Sequence, residues 1–109
     1  MPSYLLQVSY NAAAWAAMIK RPHDRAEVVR KPIEKLGGKV EGFWMTFGDY
    51  DVIGVIEMPD NVSAAGLAIA FAGGGALKSV RTTPLLSANE AVEAMKKAGA
   101  SGYKPARAA

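Results

Sequence analysis

The chain has 109 residues, a net charge of +3 and no cysteine, with 50% of its residues apolar and 21% charged. That length leaves room for one core, and the apolar fraction is that of a folded chain rather than a disordered one. The lack of cysteine excludes disulfides, thiolate metal sites and a cysteine nucleophile.

Residues 3 to 10 alternate: Tyr4, Leu6, Val8 and Tyr10 share one side, Ser3, Leu5, Gln7 and Ser9 the other, which predicts a strand. The chain enters this pattern directly, without the basic and apolar stretches of a secretory leader, so a cytoplasmic location is expected. Asn11 stands where a helix N-cap is wanted, ahead of an alanine run with Trp15, Met18 and Ile19 at helical spacing. Pro22 interrupts this helix and Asp24 can cap its continuation, in which Ala26, Val29, Ile33 and Leu36 form an apolar face. Pro32 predicts a kink or break, and Gly37-Gly38 ends the segment.

The basic residues Lys20, Arg21, Arg25, Arg30 and Lys31 in this region alternate with Asp24, Glu27 and Glu34, as on a solvated helix face. Lys96, Lys97, Lys104 and Arg107 form a second basic group. No aromatic platform is interleaved with either, so no nucleic-acid partner is expected.

Two apolar-rich runs follow, Lys39 to Phe47 and Val52 to Met58, joined by a Gly48-Asp49 corner in the manner of a β-hairpin. Strict alternation places Val40, Trp44, Val52 and Ile56 on one face and Phe43, Met45, Phe47, Ile53 and Val55 on the other. Asp60 caps a helix with Val62, Ala65, Ile69 and Ala72 on a face, which ends at Gly73-Gly74-Gly75. The apolar stretch 64–77 is too short to span a bilayer, so no membrane partner is expected. A fourth strand runs from Ala76 to about Thr83, and Ser87 with Glu90 forms a capping box opening an amphipathic helix with Val92 and Met95 inward. The expected organisation is one domain over residues 1–98 and a basic tail over 99–109.

The order βαββαβ plus a terminal helix predicts an α+β, ferredoxin-like fold with a four-stranded antiparallel sheet. Two helices can cover only one face of such a sheet. A hairpin apolar on both faces therefore needs a second cover. A homodimer with two sheets packed face to face meets that need, and such dimers can stack into higher oligomers.

The segments Gly37-Gly38-Lys39-Val40, Trp44, Phe47-Gly48-Asp49-Tyr50-Asp51 and Glu57-Met58-Pro59-Asp60 resemble the GYD domain family, over nearly the whole chain from Tyr4 to about Leu86. The family's Arg-Thr-Glu-Thr string stands here as Arg81-Thr82-Thr83-Pro84. The resemblance implies a dimeric α/β barrel. Relatives on that barrel include small-molecule monooxygenases, isomerases and haem-handling enzymes, a range too wide to select an activity from fold.

Three groups of residues are candidates for chemistry. Asp49, Tyr50 and Asp51 put two carboxylates and a phenol at the hairpin corner; one acid could serve as a general base and the phenol as a proton donor. The competing structural role is turn chemistry, with Asp51 accepting backbone N–H bonds and Tyr50 packing across the dimer. Tyr10, Trp15 and Trp44 could line a cavity between sheet and helices, with Arg81 or Arg30 anchoring an anion; as core aromatics they need no ligand.

His23, the single histidine, stands without the partners a metal wants, so no metal and no cofactor are expected. Gly73-Gly74-Gly75 follows a helix rather than opening one and lacks the Lys-Ser/Thr of a phosphate loop, which favours a terminator. The residues thus favour a small homodimeric protein that binds an apolar or aromatic molecule. The alternative is a cofactor-independent enzyme of the monooxygenase or isomerase kind, acting on a small aromatic or quinone-like substrate.

Overall fold

The computed structural model describes residues 1–107. The elements run β1 (Ser3–Tyr10), α1 (Ala12–Lys20), α2 (Arg25–Lys35), β2 (Lys39–Met45), β3 (Val52–Glu57), α3 (Asn61–Gly73), β4 (Leu77–Leu85) and α4 (Ala88–Ala100). The strands form one sheet in the order β2-β3-β1-β4, with every neighbouring pair antiparallel. This is the expected ferredoxin-like α+β arrangement.

Local chemistry explains most boundaries. Asn11, Asp24, Asp60 and Ser87 each cap the helix that follows by accepting a backbone N–H. Gly37, at φ +88°, closes α2: its N–H reaches Glu34 O at 2.9 Å, and Gly38 N–H reaches Ile33 O at 2.9 Å. Those two bonds are the Schellman pattern, which needs a residue that tolerates positive φ. Gly38 must also be small, because a Cβ there would collide with Glu57 O and Met58 Sδ. Pro22 falls between α1 and α2, as expected, but α2 continues unbroken past Pro32. Packing of Val29 and Ile33 against the core outweighs the one ladder bond a proline removes. Pro84 is accommodated because β4 is an edge strand.

The sheet's helix-covered face carries the core in two parts. One cluster joins Tyr4, Leu6, Ile33, Ile56, Met58 and Leu67, with Tyr4 Oη donating to Asn61 Oδ1 at 2.6 Å. The other joins Val8, Tyr10 and Val52, with Trp15, Met18, Phe43 and Leu77 packed against it.

The expected faces of the hairpin and of the helices are corrected. Val40 pairs with Ile56, yet Gly42 pairs with Val55, so Glu41 is an extra residue in the ladder. This β-bulge inverts the parity of the rest of β2. Phe43 and Met45 consequently pair with Gly54 and Val52 on the helix-covered side, and Trp44 pairs with Ile53 on the helix-free side. Phe47 falls beyond β2 and is fully exposed.

In α3 the inward face is Ala64, Leu67 and Phe71, while Val62 and Ile69 are 83% and 71% exposed. The helix is so rich in alanine and other apolar residues that its sequence carries almost no periodic signal. Ile19 likewise faces out, at 74% exposure.

The helix α4 has the predicted capping box, with Ser87 and Glu90 each bonded to the other's backbone, but its expected inward residues have nothing to pack on. Val92 and Met95 are 47% and 69% exposed, and no residue of α4 is buried. The helix projects from the body, so that the described chain measures 60 × 36 × 22 Å with a radius of gyration of 17.7 Å. A compact chain of this length has about 13 Å. Residues Gly99 and Ala100, expected in the tail, complete α4, and residues 108 and 109 of that tail lie outside the described residues.

Candidate functional site

Between the two core clusters lies an apolar cavity of about 240 Å³. Its sheet side is Leu6, Val8, Tyr10, Phe43, Val52 and Gly54; Arg25 and Val29 of α2, with Phe71 and the segment around Gly74 to Leu77, form the other side. The space exists because small residues (Gly54, Ala70, Gly74, Ala76) meet where larger ones would fill it. A cavity of roughly 150 Å³ holds benzene, whereas drug-sized ligands occupy about 300 Å³ or more. This one therefore suits a single ring or a short chain.

Its end wall is held by a continuous set of hydrogen bonds. Asn11 uses Oδ1 to cap α1 through Ala14 N–H at 2.9 Å and Nδ2 to hold Gly75 O at 2.7 Å, and its own N–H donates to Ala76 O at 3.0 Å. Gly75 has φ +80°, a conformation suited to glycine. The triple glycine thus ends α3 and is tied to the start of α1.

Of the expected cavity residues, Tyr10 lines the space and Trp15 supports it. Their rings meet edge to face, with centroids 5.3 Å apart at 79°. Trp44 and Arg81 are on the opposite side of the sheet. The bulge at Glu41 turns Trp44 away, and its indole lies over Gly42, where a Cβ would strike the ring. Arg81 pairs with Gln7, whose parity is opposite to the buried Leu6 and Val8. Arg30 forms an ion pair with Glu27 at 3.7 Å.

Phe43 and Arg25 were missed as cavity residues. The bulge hid the first, and the second sat within an ordinary-looking run of alternating charges.

The Asp49-Tyr50-Asp51 corner does not line the cavity. It folds back on the end of β1: Asp51 N–H donates to Val8 O at 2.8 Å, Asp51 Oδ2 accepts Tyr10 N–H at 2.8 Å, and Ser9 Oγ donates to Asp49 O at 3.1 Å. Thr46 Oγ1 donates to Tyr50 O and closes the loop from the other strand.

His23 is exposed; its Nδ1 lies 2.9 Å from Arg21 O and its Nε2 3.2 Å from Arg25 Nη1. Donation by Nδ1 to the carbonyl leaves Nε2 to accept from the guanidinium. Among the described residues, no three His, Cys, Asp or Glu side chains cluster as metal ligands. Nor is any helix among them long and apolar enough to cross a membrane.

The titratable groups displaced from their ordinary values have structural causes. Asp60 and Glu90 are held low by the N–H groups they cap, around Ser63 and Ser87 respectively. Lys39 is raised by Glu57 and Glu41, each 3.4 Å from its Nζ.

No curated protein matches the chain. The GYD domain family model matches residues 4–95, a span containing both core clusters, the cavity and the hairpin corner. The chain belongs to the GYD domain family.

Proposed function

We propose that this protein is a small homodimeric binding module that takes up a small apolar or aromatic molecule between its sheet and helices. The observation that carries the reading is a half-open apolar pocket of about 240 Å³ between the sheet and the helices. An apolar space of this size is best explained by an occupant.

The dimer rests on two apolar surfaces without cover in the single chain. Leu5, Ile53, Val55 and Trp44 lie on the helix-free face of the sheet, with Trp44 56% exposed. Leu86 links Val55 of this face to Val92 of α4, where Met95 is also exposed. At about 3.3 Å per residue and 4.8 Å between strands, the sheet face measures roughly 25 by 19 Å. With a helix about 20 Å long beside it, the area approaches the roughly 800 Å² per partner of a standard interface. An isolated helix of 13 residues is marginal in water, so α4 gains most from such a partner. A second copy of the chain presents the matching face, and a two-fold axis lets one patch serve both sides.

The test of uptake is an NMR titration of the isotope-labelled full chain with toluene and benzyl alcohol. Saturable binding of either, with shifts confined to residues such as Leu6, Phe43 and Phe71, is expected. Absence of saturable binding overturns the reading.

A further inference from the structure

Arg25 breaks three rules at one place. It is the first residue of α2, where the helix dipole disfavours a cation, and Asp24 before it is engaged in capping Ala26 N–H at 2.9 Å. Among the described residues no carboxylate forms an ion pair with it. Its Nε is shielded from water and has no hydrogen-bond partner, leaving only the 3.2 Å contact from Nη1 to His23. An N–H of a charged group left buried and unsatisfied is costly, and such cases call for an explanation.

The explanation lies in what Arg25 borders. Among the described residues it is the single charged side chain on the wall of the cavity, and Tyr10 is the only other polar one. Sequences depart from local rules mainly at functional positions, where a ligand supplies the missing interaction.

We propose that the cavity's ligand is a small carboxylic acid in its anionic form, with the apolar body between Phe43, Val52 and Phe71 and the carboxylate on the Arg25 guanidinium. This inference rests on the uptake of a small molecule proposed above and names its chemical class. The planar fork of arginine matches a carboxylate in geometry, and the pair strengthens where apolar walls exclude water. The carboxylate gives the guanidinium the anionic partner it lacks and compensates the positive end of α2. The Phe43 and Phe71 rings suit a flat ring or a short chain as the body.

The experiment compares benzoate with benzyl alcohol, nearly equal in size and differing in charge, on the wild-type chain and on Arg25→Gln. Wild-type protein is expected to bind benzoate at least about tenfold more tightly. Arg25→Gln is expected to lose that preference, with its far-UV circular dichroism spectrum reporting that the variant is folded.

Equal affinity of the two probes for wild-type protein overturns the anionic assignment and leaves the apolar cavity as proposed. A benzoate preference that survives in Arg25→Gln overturns the role of Arg25. Binding of neither probe overturns the cavity reading and this inference with it. The wild-type ratio decides the question even if the variant fails to fold.

Discussion

The carboxylate of Asp51 accepts the backbone N–H of Tyr10 at 2.8 Å, tying the hairpin corner to the end of the strand that lines the cavity. With Asp51 N–H donating to Val8 O, it continues the β1–β3 ladder around the end of the sheet. Two carboxylates beside a phenol suggest acid–base work when read as a sequence. In the fold one of them is occupied by a main-chain donor.

Asp51→Ala removes the acceptor and is expected to destabilise the chain by about 1.5–3 kcal/mol, the range for a hydrogen bond to a charged group. Asp51→Asn keeps an oxygen there and is expected to cost less than half as much. Urea unfolding of both variants gives the comparison. A loss below about 0.5 kcal/mol in Asp51→Ala would show that the bond contributes little.

Filling the cavity should separate uptake from stability. A Cβ at Gly54 would lie 3.4 Å from Gly42 O and 3.7 Å from Phe43 Cδ2, ordinary contact distances. Gly54→Ala is thus expected to be tolerated within about 1 kcal/mol. Gly54→Leu extends into the space and is expected to abolish toluene binding. If NMR shows the leucine variant still taking up toluene, the ligand sits elsewhere.

Ile53 is half-buried on the helix-free face, beside Trp44. In a single chain an aspartate there reaches water at little cost; in a face-to-face dimer it becomes an unpaired buried charge. Ile53→Asp is expected to weaken association by about 3 kcal/mol or more, over a hundredfold in Kd, as read by analytical ultracentrifugation. A wild-type chain that stays monomeric at micromolar concentration would remove the dimer.

Acid should loosen the N-terminal ends of α3 and α4. Glu90 is held below its ordinary value by its bond to Ser87 N–H, so the deprotonated form is the one the folded helix prefers. Its contribution is complete above the usual glutamate value of about 4.3 and disappears as pH falls through the lower folded value. Asp60, depressed by the same kind of contact at α3, follows the same sign. Amide chemical shifts of Ser87 and Ser63 followed from pH 7 to pH 2 are expected to titrate below the ordinary carboxylate range. Glu90→Gln should abolish the Ser87 titration and leave that of Ser63.

Element types and their order were legible in the sequence because local chemistry decides them: side chains that cap helices, glycines at positive φ, and period-two alternation in β1. The family was legible for a related reason, since its segments gather around the continuous Gly48-Asp49-Tyr50-Asp51 string. Which way a side chain faces was decided by the tertiary structure. One bulged residue, Glu41, reversed Phe43 and Trp44, because parity in a strand depends on pairing with a partner far along the chain. The buried face of α3 was likewise set by the sheet beneath it, since its own sequence offers apolar residues all round. The cavity is the extreme case. It is the space between side chains from distant segments, and Arg25 acquires its meaning only where that space meets the start of α2.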